Sequence, residues 1–120
     1  MAASMTFTEI THGTVKKIKA VWVSAADGSV SGTTTKVYSG RLFGAITVPS
    51  GSAPPTDNYD IAINDSDSVD VALAALINRS ATVTQYVAEA SMAGCAHSAL
   101  TIAITNAGNT KEGTVYLFIR

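Results

Sequence analysis

Apolar and polar residues alternate along much of this chain, and the alternation has a period of two, the mark of half-buried strands. Residues 58–70, NYDIAINDSDSVD, show it best. Tyr59, Ile61 and Ile63 fall on one side, with Asp60, Ala62 and Asn64 on the other, which predicts a strand with one buried face. The pattern then breaks into Asp65-Ser66-Asp67-Ser68, whose side chains bond nearby backbone and favour a turn. Residues 5–11, MTFTEIT, predict a short edge strand after a loose start at 1–4. Residues 14–24, TVKKIKAVWVS, predict the strongest strand. Ile18, Ala20 and Trp22 share one of its faces, and Val15, Lys17, Lys19, Val21 and Val23 share the other. Trp22 is the single tryptophan and the expected anchor of the core.

Residues 25–35 are turn material around Asp27-Gly28. Residues 36–48 predict a strand pair or one long bent strand, with a bulge or bend at Ser39-Gly40 and a second irregularity at Gly44. Residues 49–57, PSGSAPPTD, hold all three prolines and exclude regular structure. In 71–77, VALAALI, the spacing of Leu73, Leu76 and Ile77 predicts a helix of one or two turns, capped by Asp70 or Ser68 and ended by Asn78. A tight apolar loop is the alternative there. A half-polar strand is expected over 81–91, a loop of small residues over 92–97, and a clean strand over 99–105. Residues 106–113 read as a hairpin connection. Residues 114–120, TVYLFIR, are apolar on both faces, which places them centrally, paired with the strand before them. Seven or eight short strands with frequent turns give an all-β, single-domain β-sandwich over 1–120, jelly-roll-like, with at most one short helix near 71–77.

The length suits one domain that buries roughly two-thirds of its unfolded surface, without disulfides or structural metal. Charged residues make up 14%, against about 25% in ordinary domains, so part of the outer surface is not left to water. The net charge of −1 argues against general nucleic-acid binding. No signal-peptide pattern opens the sequence, and no apolar run approaches the roughly 20 residues that span a membrane. The charges are segregated. Lys16, Lys17, Lys19, Lys36 and Arg41 are opposed between 14 and 41 only by Asp27, while 57–70 holds five aspartates and no base. Either these segments face each other or water within the fold, or they dock complementary surfaces. Lys17, Lys19, Val21 and Val23, together with Asp65 and Asp67, are the interface candidates.

Little in the sequence carries reaction chemistry. Asp65, Asp67 and Asp70 are the one candidate calcium set, but Val69 and Asp70 stand where an EF-hand loop needs an oxygen ligand and a glycine. Bonding of the turn backbone is the stronger expectation for them. Cys95, the single cysteine, lies between Gly94 and Ala96 as a spectator thiol, and His12 and His97 do not complete a zinc spacing with it. No nucleophile elbow and no phosphate-cradling loop is present. The expectation is a non-enzyme without a cofactor.

Three segments together resemble a known group: FTEITHGTVKK at 7–17, NYDIAINDSDSVD followed by Asn78-Arg79, and TNAGNTKEGTVYLFIR at the end. They are similar to small virion structural proteins of tailed bacteriophages. The resemblance implies a jelly-roll or sandwich protein on the virion, made in the bacterial cytoplasm. It would most often be a capsid decoration or cement protein that bridges capsid subunits as a homo-oligomer, with the major capsid protein or other virion proteins as partners. A neck or tail component is the alternative, as is a carbohydrate- or receptor-binding module using Tyr38, Tyr59, Tyr86 or Tyr116. The resemblance transfers no functional residues, because such proteins work through surfaces.

Overall fold

The computed structural model describes residues 3–88 and 92–120, and every regular element among them is a strand. These are β1 (Ser4–His12), β2 (Val15–Val23), β3 (Val30–Thr33), β4 (Tyr38–Pro49), β5 (Asp60–Asn64), β6 (Gln85–Ala88), β7 (Gly94–Ser98), β8 (Thr101–Thr105) and β9 (Glu112–Ile119). A large sheet runs β1-β2-β9-β4-β6, with β7 also paired to β4, and a small sheet runs β3-β8-β5. All pairings are antiparallel. The chain crosses between sheets from β2 to β3, β3 to β4, β4 to β5, β5 to β6, β7 to β8 and β8 to β9, so the two sheets are interleaved along the chain as one β-sandwich.

The alternation of the sequence becomes the core. Ile18, Ala20 and Trp22 of β2, Leu42 and Ala45 of β4, and Val115, Leu117 and Ile119 of β9 point inward from the large sheet and are buried. Ile61 and Ile63 of β5 and Ile102 and Ile104 of β8 meet them from the small sheet. Trp22 and Tyr59, both fully buried, tie the layers with ring centroids 5.6 Å apart. Gly113 pairs with Trp22 and leaves room for the indole: a Cβ there would lie 2.5 Å from its Cζ2.

β4 is one long strand with two register shifts, at Tyr38/Gly40 and at Leu42/Gly44, where bulges are expected from its glycines. Other expectations fail. Val30–Thr33 is a strand inside the expected turn segment, too short to show alternation, held by its pairing with β8. Gly94–Ser98 is a strand inside an expected loop, recruited by the first half of β4 despite its small residues. Residues 106–113 do not make a hairpin. β8 and β9 lie in different sheets, and β9 inserts between β2 and β4 instead of pairing with the strand before it. Of the strand expected over 81–91, Gln85–Ala88 is formed, 81–83 are bends, and 89–91 lie outside the described residues.

Residues 71–77 form tight turns, not a helix. Leu73 and Ala74 have φ of 53° and 59°, in the left-handed region that no right-handed helix contains. The Asp70 carboxylate replaces helical bonding by accepting the amides of Ala72 (3.0 Å), Ala74 (3.0 Å) and Ile63 (3.1 Å). The segment runs along the outer edge of β5, where a fourth strand would complete the small sheet. The Ile61 amide donates to Leu76 O, the Val71 amide to Ile63 O, and the Arg79 amide to Tyr59 O. An edge that would otherwise present open backbone groups is thereby covered.

Candidate interaction surface

The register places a continuous row of side chains across the outer face of the large sheet. Thr8 of β1 pairs with Lys19 of β2, Lys19 with Tyr116 of β9, Tyr116 with Ile46 of β4, and Ile46 with Tyr86 of β6. A neighbouring row runs Ile10, Lys17, Phe118, Gly44, Ala88. A third runs Thr6, Val21, Thr114, Val48. The bulge in β4 inserts Phe43 between Leu42, which pairs with Ile119, and Gly44, which pairs with Phe118. The extra residue turns its ring onto the outer face, where its centroid lies 5.9 Å from that of Phe118. Tyr86 crosses the bare backbone of Gly44, its hydroxyl 3.5 Å from the Phe43 carbonyl.

This face intersperses apolar side chains with three cations, Lys17 and Lys19 on β2 and Arg120 just past β9. Ile10, Val21 and Tyr86 are 50%, 43% and 59% exposed, well beyond what an outward strand position needs for its pairing. The ammonium groups of Lys17 and Lys19 stand 5.2 Å and 6.0 Å from the Tyr116 ring centroid. The Arg120 guanidinium stands 5.0 Å from that of Phe43. Cations held over aromatic faces keep their charge while covering part of the ring.

Lys17, Lys19, Val21 and Val23 therefore lie together on one surface. Asp65 and Asp67 do not join them: they sit in the turn after β5, at the end of the small sheet. Asp65 Oδ1 accepts the amides of Asp67 (2.9 Å) and Val69 (3.0 Å). With Asp70 committed to three amides, the structure does not gather the suggested calcium set. Among the described residues no cluster of three or more His, Cys, Asp or Glu is placed to hold a metal. Asp57 and Asp60 likewise accept backbone amides, from Ala81 and Asn78, each at 3.0 Å. The charge segregation of the sequence is thus spatial, lysines on the large sheet and aspartates on the small.

Of the four tyrosines only Tyr86 and Tyr116 reach the outer face. Tyr38 and Tyr59 are buried. The Tyr38 hydroxyl donates to Glu9 Oε1 at 2.7 Å, and burial followed by that carboxylate pushes its pKa well above the ordinary tyrosine value. Glu9 also accepts the Thr35 hydroxyl (2.7 Å) and the amides of Thr35 and Lys36 (each 3.1 Å), tying β1 to the β3–β4 loop. Burial works to raise the Glu9 pKa, but these hydrogen bonds outweigh it and hold the carboxyl below the usual glutamate value. The half-buried Cys95 thiol is pushed up by burial and by Asp65, partly offset by Lys16, so it is a weak nucleophile.

No protein-family model, curated protein or solved structure matches this chain.

Two hollows mark the surface. One of about 220 Å³ lies between Val21, Val48, Pro49 and Glu112 at the top of the apolar face. The other, of about 450 Å³, lies between Ala3, Ala25, Val30 and Ile104. The first is lined by one ionisable side chain, Glu112, and the second by none, so neither brings an acid and a base together. Sequence reasoning drew the β2 part of the face together and missed Phe43, Ile46 and Phe118, while Tyr86 and Tyr116 entered only as candidates for a carbohydrate- or receptor-binding site. The signal for them was the two-faced apolarity of TVYLFIR, since a central antiparallel strand needs only one buried face.

Proposed function

We propose that this protein is a structural component of a tailed-bacteriophage virion, a decoration or cement protein that attaches to the capsid through the outer face of its large sheet. The observation that carries the reading is that face. Phe43, Ile46, Tyr86, Tyr116 and Phe118 are brought onto one flat surface by three different strands, in a chain with few charges. Interfaces concentrate aromatic anchors in this way, ringed by polar groups. Lys17, Lys19 and Arg120 suit an apolar partner surface that carries acidic groups opposite them. The mechanism is adhesion: a protein that binds the assembled shell and not its dissociated parts stabilises the shell by mass action. The major capsid protein is the partner this reading names, and the same surface serves equally at a neck or tail position.

A carbohydrate- or receptor-binding module is the second reading, favoured by the exposed Tyr86, whose ring is free to stack on a sugar. The test is sedimentation of the purified chain with heads of the phage that encodes it. Attachment to heads, lost in Ile46→Lys and Tyr86→Ser, is the expected result. A chain that ignores heads and tails but gives signal on a glycan array would sink the first reading in favour of the second.

A further inference from the structure

The two sheets do not treat their edges alike. The outer edge of β5 is covered by the turns of 70–79. β3 and β6 are four residues each. β1 is nine residues, about 30 Å of extended chain, and its pairing with β2 runs without a break from Ser4↔Val23 to His12↔Val15. Its far side makes no backbone–backbone hydrogen bond to another segment among the described residues; the Lys36 ammonium alone reaches it, 3.4 Å from the Glu9 carbonyl. Edge strands are normally protected by prolines, lysines, bulges or shortness. SMTFTEITH itself carries none of these, and Lys36, from the loop before β4, covers it only at Glu9. Its one carboxylate, Glu9, is turned inward and saturated by Thr35, Lys36 and Tyr38.

We infer that β1 pairs with β1 of a second copy across a two-fold axis at Thr8, joining two large sheets into one continuous sheet. The strand is complementary to itself. In antiparallel register about Thr8, its outer row sets Thr8 against Thr8, Thr6 against Ile10 and Ser4 against His12. The first two are β-branched pairs of the kind that stabilise neighbouring strands, and the third sets a serine against a histidine at the strand ends. The inner row sets Met5 against Thr11 and Phe7 against Glu9, and Glu9 is already engaged within its own chain. No like charges meet. A two-fold contact of this kind closes on itself and does not propagate into a fibre. It also doubles the apolar outer face, giving two copies of the surface on one rigid body. Two attachment surfaces on one body raise avidity without any new contact. The dimer goes beyond the functional reading, because it is read in solution without phage heads and stands or falls independently of attachment to them.

The experiment is light scattering on the purified full chain at micromolar concentration, with Thr8→Lys and Thr8→Glu. Thr8 is exposed, and both variants are checked for a native circular-dichroism spectrum. The wild type should have twice the 12.3 kDa chain mass. Each variant alone should fall to the single-chain mass, because like charges meet at the axis, and an equimolar mixture of the two should return to the double mass. Tyr86→Ser, on the outer face, should leave the dimer intact. A monomeric wild type, a dimer indifferent to both Thr8 variants, or a mixture that stays monomeric would each overturn the inference.

Discussion

Tyr86 lies across Gly44: a Cβ built on Gly44 would sit 2.5 Å from the Tyr86 hydroxyl and 3.0 Å from its Cζ. The glycine is the floor on which the most exposed aromatic of the outer face rests. Gly44→Ala should push the ring tip outward at little cost, since Tyr86 is an edge residue with room to move and alanine removes some unfolded-state freedom. Its stability should stay within about 0.5 kcal/mol of wild type in urea denaturation. Affinity for the partner surface should drop, because the ring no longer lies flat. A variant with unchanged affinity would remove Tyr86 from the contact.

Gly113 and Trp22 present the same geometry with the opposite outcome. The clash is again 2.5 Å, but it falls on an indole that is fully buried and packed at a tilt against Tyr59. Nothing there can give without disturbing the layer contact. Gly113→Ala should destabilise by about 2–3 kcal/mol through overpacking, seen as a lower urea midpoint with altered tryptophan fluorescence.

Glu9 makes stability depend on pH in a definite direction. Its folded pKa lies below its unfolded value because four hydrogen bonds favour the carboxylate. The contribution is therefore complete above the ordinary glutamate range and is lost as pH falls through the folded pKa. Glu9→Gln should cost about 1 kcal/mol at pH 7, a modest figure because the site is largely open to water. The difference between variant and wild type should shrink in acid. Urea midpoints at pH 7 and pH 3 check both parts, and a gap that widens in acid would contradict the assignment.

Asp70 holds the strap over β5. Asp70→Ala leaves the amides of Ile63, Ala72 and Ala74 without their acceptor. A loss of about 2 kcal/mol is expected. The larger sign should be aggregation, because a freed strap uncovers the backbone edge of β5. Light scattering during storage at native pH measures it.

How much of this was legible from residues alone depends on whether local pattern or long-range pairing decided each element. The strands around Trp22, Ile61–Ile63 and Ile102–Ile104 were readable, because each buries a clean alternate face. The irregularities at Gly40 and Gly44 were readable because glycine in a strand marks a bulge. Val30–Thr33 and Gly94–Ser98 were not, since β8 and β4 hold them and their own residues do not. The helix expected at 71–77 rested on the spacing of Leu73, Leu76 and Ile77. Only Leu76 of the three is buried, and capping by Asp70 proved compatible with turns as well as with a helix. The lysine-valine face was correctly drawn together, whereas Asp65 and Asp67 were assigned to an interface on charge alone and sit at the other sheet. The aromatic centre of the surface was hidden because its residues come from strands distant in sequence.

The place of β9 has a consequence for biosynthesis. Lys16 pairs with Ile119, and Leu42 pairs with that same residue from the other side. The middle strand of the large sheet is thus made after both of the strands it joins. Until it arrives, β2 and β4 on the nascent chain have no common neighbour. Long-range closure of this kind is slow, so the large sheet of the emerging polypeptide stays open between β2 and β4 until β9 has been made.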